Sequence, residues 1–240
     1  MNLGGKAMTR VKICGLMKRK DVNSCVQAGV HMVGFVVNYP VPVPWNLTMV
    51  EAKKLIYQVP PFVSTCVVTG GSVGKVLAIV KKTCPNVVQL HYKETLQEVK
   101  EIAYRLKLRG IKTIKVLRID ENGNCDFEIT APVLATRELT KTGVSAILVD
   151  SYTVSKPGGT GITVDLSTFR NVQQASSLPV ILAGGLNPMN VSLLIHETHP
   201  YAVDVLTGVE ETPGHKDSEE INKFMQNVRL ADQSYKIIKA

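Results

Sequence analysis

Ala146-Ile147-Leu148-Val149-Asp150 is a run of apolar, mostly branched residues that ends on a carboxylate. It does not alternate apolar with polar, as a strand with one wet face does. It therefore reads as a strand covered on both sides, the habit of parallel sheets. Seven more runs share this character, at 11–14, 32–37, 63–68, 87–91, 113–117, 179–183 and 202–205. Helix signals lie between many of them. The stretch 21–28 carries Val22, Cys25 and Val26 at helical spacing and stops at Gly29. The stretch 48–58 opens on the capping residue Thr48. Helices are also expected over 73–82, 96–108, 190–196 and 217–230. Eight strand–helix units in 240 residues have the size and count of a (β/α)8 TIM barrel, one α/β domain. The barrel is expected over 11–230, between an N-terminal extension at 1–10 and a basic C-terminal tail at 231–240. The polar segment 120–126 reads as a surface loop. An open doubly wound sheet is the competing architecture, but no G-x-G-x-x-G follows the first strand.

Composition narrows the function. Apolar residues make up 45% and charged residues 20%, as in an ordinary globular domain. The net charge of +8 suits an anionic ligand. Basic residues are spread out and not interleaved with aromatics, so no nucleic-acid partner is expected. No apolar run is long enough to span a membrane, and the first ten residues hold no apolar leader core, so the expected compartment is the cytoplasm. The five cysteines are scattered, with no C-x-x-C pair. They read as reduced thiols, with no zinc site.

In a barrel of this kind, functional side chains gather where the strands end. That rule selects Cys14, His91, Asp150 and Asp204. Glycine pairs follow strands six and seven, Gly158-Gly159 and Gly184-Gly185, and Thr207-Gly208 lies past strand eight. Glycine lets backbone N–H groups come close enough to cradle a phosphate. A phosphate or substrate site is therefore expected from Gly158, Gly159, Gly184, Gly185, Asp204, Thr207 and Gly208.

The motifs are also specific in combination. Lys12-Ile13-Cys14-Gly15-Leu16, Gly34-Phe35-Val36, Pro60-Pro61-Phe62-Val63 and Val88-Gln89-Leu90-His91 come in order. Leu148-Val149-Asp150, Gly158-Gly159-Thr160-Gly161, Leu182-Ala183-Gly184-Gly185-Leu186-Asn187-Pro188 and Gly208-Val209-Glu210 follow. The chain resembles the phosphoribosylanthranilate isomerases of tryptophan biosynthesis from about residue 11 to about residue 230. The resemblance implies an Amadori rearrangement of N-(5-phosphoribosyl)anthranilate to 1-(2-carboxyphenylamino)-1-deoxyribulose 5-phosphate. It implies Asp150 as general acid and Cys14 as general base, with no cofactor and no metal. Asp150 must then keep its proton near neutral pH, and Cys14 needs positive charge nearby to become a thiolate. Lys12 shares a side with Cys14 but sits one layer deeper.

Part of the pattern is broken. Family members carry an arginine after strand two that holds the anthranilate carboxylate. Here the segment is Asn38-Tyr39-Pro40-Val41-Pro42-Val43-Pro44-Trp45-Asn46-Leu47-Thr48, and no arginine lies between Gly34 and Lys53. Trp45 falls near the expected position; it reads either as a ring-stacking residue or as a loop anchor on the barrel rim. His91 reads either as a pocket residue or as a structural histidine. Tyr92 and Leu206 also depart from the family's usual small residues. Two other readings follow from these departures: an enzyme for a different phosphorylated sugar adduct, or a non-catalytic binding protein on a retained barrel.

Overall fold

The computed structural model describes residues 8–151 and 165–238, with side chains as far as residue 234. Eight parallel strands alternate with eight helices in the order β1 (Arg10–Ile13), α1 (Arg19–Ala28), β2 (Met32–Val37), α2 (Met49–Ile56), β3 (Ser64–Thr69), α3 (Val73–Thr83), β4 (Val87–Leu90) and α4 (Leu96–Lys107). Then come β5 (Lys112–Ile119), α5 (Pro132–Leu139), β6 (Ala146–Ser151), α6 (Leu166–Ala175), β7 (Val180–Leu182), α7 (Val191–Thr198), β8 (Ala202–Val205) and α8 (Ser218–Ile238). Each strand pairs with its neighbours in sequence. β1 closes the ring, pairing Lys12 with Met32 on β2 and with Asp204 on β8. The closed barrel excludes an open sheet.

Local chemistry explains the helix boundaries. Thr48 with Glu51, and Thr95 with Glu98, form reciprocal capping boxes at the starts of α2 and α4. Gly29 ends α1 in the left-handed conformation, with φ of 82°. Two helices carry weak sequence signals and were not expected. α5 has eight residues opened by Pro132, and α6 buries only Phe169 and Val172. The stretch 231–240, expected as a tail, instead continues α8 through Ile238. Its Asp232 accepts bonds from the Thr9 N–H and hydroxyl, both at 2.7 Å, so Thr9 is tied to the last helix.

The period of two along each strand divides the core into two shells. Val11, Ile13, Phe35, Val37, Val67, Ile147, Val149 and Val203 face the helices. Cys14, Val36, Cys66, Val68, Ile114, Val116, Leu148 and Ile181 fill the barrel. Continuing the inner set one step toward the strand ends places functional side chains at the barrel mouth. Among the described residues, no helix is long and apolar enough to cross a membrane.

Candidate active site

A cavity of about 380 Å³ opens at the C-terminal ends of the strands, and Cys14, His91, Asp150 and Asp204 all border it. Gly184, Gly185, Thr207 and Trp45 border it as well. Gly158 and Gly159 lie outside the described residues.

Lys12 and Cys14 both rise on the inner side of β1, over Gly34 of β2. A Cβ at position 34 would stand 3.0 Å from Cys14 Sγ and 3.1 Å from Lys12 Nζ. Glycine at this position leaves room for both groups. Lys12 Nζ donates to Asp204 Oδ2 at 2.7 Å in a buried ion pair. Burial opposes the Lys12 charge, but Asp204, Cys14 and Cys66 together hold its pKa above the ordinary lysine value. The thiol departs from expectation. Burial pushes Cys14 up more strongly than Lys12 pulls it down, so these protein groups alone leave it protonated.

Asp150 is shifted in the direction that keeps its proton. Burial, reinforced by the nearby Asp204 carboxylate, pushes its pKa up to about 7, against the Ser151 N–H, Arg118 and Lys12. Gly184, with φ of 87°, lies directly over it; a Cβ there would meet Ser151 Oγ at 2.6 Å and Asp150 Oδ1 at 3.0 Å. Glycine is required here both by conformation and by space.

His91 faces Asp150, with Nε2 3.8 Å from Oδ2. Gln89 Nε2 lies 3.2 Å from His91 Nδ1. With the amide nitrogen donating, Nδ1 accepts and the ring proton sits on Nε2. Burial and the charges of Arg118, Lys115 and Lys12 hold His91 well below its ordinary pKa, so it is neutral. The Tyr39 hydroxyl fixes its backbone, donating to the His91 carbonyl at 2.6 Å. Arg118, one strand pair from Asp150, is bonded to Asp126.

The turns after β7 and β8 pack backbone against backbone. A Cβ at Gly208 would lie 1.8 Å from the Leu186 carbonyl oxygen and 3.0 Å from Asn187 Cα. Gly208→Ala is therefore expected to cost about 3 kcal/mol or more. In a chain of this size that lowers Tm by roughly 6–12 °C, which calorimetry will read. An unchanged Tm would show that the turns separate freely.

Trp45 is 8% exposed and borders the cavity, so it is both a rim anchor and a wall residue. Its indole N–H donates to Glu210 Oε1 at 2.9 Å. Sequence reading passed over Glu210, Gln89 and Tyr39 as site residues, and it set Lys12 aside. Strand parity marks Lys12 and Gln89 as inward-facing; nothing local marks Glu210.

Comparison with known proteins shows the family. The family model described as N-(5'-phosphoribosyl)anthranilate (PRA) isomerase matches residues 11–227. The chain belongs to the phosphoribosylanthranilate isomerase family. A Methanosarcina acetivorans protein named N-(5'-phosphoribosyl)anthranilate isomerase is 38% identical over 223 residues, 92% of this chain and 93% of that protein. A Methanocella arvoryzae isomerase of the same name is 36% identical over 93% of this chain and 99% of its own. The phosphoribosyl anthranilate isomerase from Thermotoga maritima superposes with a TM-score of 0.77 at 31% identity, covering 92% of this chain and 99% of the other. A second isomerase structure, in complex with reduced 1-(o-carboxyphenylamino)-1-deoxyribulose 5-phosphate, superposes with a TM-score of 0.74 at 29% identity over the same shares.

Proposed function

We propose that this chain rearranges N-(5-phosphoribosyl)anthranilate to 1-(2-carboxyphenylamino)-1-deoxyribulose 5-phosphate, with Asp150 as acid and Cys14 as base. The observation that carries this reading is a carboxyl titrating at about 7 that borders the same cavity as a thiol beside a buried lysine. Asp150 gives its proton to the furanose ring oxygen. The C1–O bond breaks, and the nitrogen lone pair forms a C1=N iminium. Cys14, as thiolate, takes the C2 proton, and the C–H electrons form C1=C2 and neutralise the nitrogen. The enol at C2 then becomes the ketone as a proton returns to C1. The iminium is itself a cation beside Cys14. It adds to Lys12 the positive charge needed to offset the burial of the thiol.

The rest of the site suits a phosphorylated sugar. Backbone N–H groups of Gly184, Gly185, Thr207 and Gly208 lie on the two turns suited to an anion. Asp204, a carboxylate, is unsuited to phosphate. Its Oδ1 is buried without a partner among the described residues, and it accepts a sugar hydroxyl instead. The buried free thiols Cys14, Cys25, Cys66 and Cys125 suit a reducing compartment, and we place the reaction in the cytoplasm.

The test is turnover of freshly generated substrate, followed by loss of its fluorescence. Cys14→Ala is expected to slow the reaction by about 10²–10⁴-fold. Normal rates in that variant would remove Cys14 from the mechanism.

A further inference from the structure

The wall of the cavity contributed by the β2–α2 segment is apolar and stiff. Pro42, Val43 and Pro44 lead into Trp45, the chain's single tryptophan. Buried polar groups hold the indole. Glu210 Oε1, which accepts the indole N–H, also accepts from Lys216 Nζ at 2.8 Å and from the Gly214 N–H at 3.2 Å. The Glu210 and Lys216 side chains are almost wholly buried, at 3% and 0% exposed. Beside the ring lies Gly15, with φ of 75°; a Cβ there would meet Trp45 Cδ1 at 3.0 Å. The ring cannot swing away without breaking this network, so it is pre-organised before any ligand arrives. The segment is also tied at its ends, by Val36 and Val37 pairing with Asn46 and Leu47 and by the Tyr39 N–H donating to Asn46 Oδ1 at 2.9 Å.

The charges around the cavity point the same way. Among the described residues, no lysine or arginine borders it. The ionisable groups that do are Cys14, the neutral His91, Tyr39 and the carboxyls Asp150 and Asp204. A wall of proline, valine and an immobilised indole offers a stacking face to an aromatic ring and nothing to a carboxylate on that ring.

We infer that Trp45 determines specificity by stacking on the N-aryl ring of the substrate. The site therefore takes N-aryl phosphoribosylamines as a class and gains little from the ortho-carboxylate. This rests on the isomerase reading given above.

The experiment compares two adducts prepared from ribose 5-phosphate, one with anthranilate and one with aniline. The wild-type protein is expected to turn both over with kcat/KM within about fivefold, because among the described residues no cationic reader, worth about 10- to 100-fold, borders the cavity. Trp45→Ala is expected to raise KM about 10- to 50-fold for both adducts, with kcat within about threefold. Trp45→Phe is expected to restore most of the loss. Emission of this sole tryptophan should be quenched when the reduced product binds. A wild-type preference above 100-fold for the anthranilate adduct overturns the inference, and that comparison needs no variant to fold. Equal KM values in wild type and Trp45→Ala overturn it too. Turnover of the anthranilate adduct alone removes this inference and leaves the isomerase reading standing. Turnover of neither adduct removes both.

Discussion

Asp150→Asn is expected to lower turnover by at least about 10³-fold and, above neutral pH, to make the protein more stable. The loss follows from the role: an amide has no proton to give to the ring oxygen. The gain follows from burial. Asp150 holds its proton more tightly in the folded protein, with a pKa of about 7, than in the unfolded chain. Stability therefore falls as pH rises from the ordinary carboxylate range through about 7, and this contribution is level above it. Asparagine removes that penalty, worth up to about 4 kcal/mol at pH 8 and close to zero near pH 4. Denaturant unfolding of both proteins at pH 4.5 and pH 8 tests this. Equal stability at pH 8 would show that the carboxylate is better solvated than its burial implies. The pH–rate profile gives a second readout. Catalysis needs the pair to hold a single proton, on the acid and not on the thiol. Below about 7 both groups are protonated, and above the raised thiol pKa both are bare. The kcat/KM profile should then rise through about 7 and fall only well into alkaline pH, both limbs belonging to the pair.

Lys12→Met is expected to destabilise the fold by about 3–5 kcal/mol, because it strands the buried Asp204 carboxylate. It should also slow catalysis by about tenfold or more, because Cys14 loses the cation that most opposes its burial. The double variant Lys12→Met with Asp204→Leu separates the two effects. It leaves no lone buried charge and should recover most of the stability. It should recover no activity, since the thiol still lacks its cation. A single variant that loses under 1 kcal/mol would mean that water or another group reaches Asp204.

The barrel was readable because its strands are short, branched and continuous, and because strand parity follows a period of two. That parity brought Cys14, His91, Asp150 and Asp204 to one mouth from four separate strands. Elements defined by weak burial were not readable. α6 has only two buried apolar side chains, and α5 has Thr136 in its middle. Pairings across the fold were not readable either. Lys12 meets Asp204 at a separation of 192 residues, and Trp45 meets Glu210 at 165, so no local spacing records them. The protonation of Cys14 was not readable for an energetic reason. The lysine was visible in sequence, but the depth of burial that outweighs it comes only from packing.

The tie between Thr9 and Asp232 joins positions 223 residues apart, and β1 finds its second neighbour only at Ala202–Val205. During synthesis β1 keeps one edge unpaired until Ala202–Val205 has been made. Ring closure therefore cannot precede the synthesis of β8, whatever the order in which the other strands pair, and it is the strand pairing with the largest loop-closure cost.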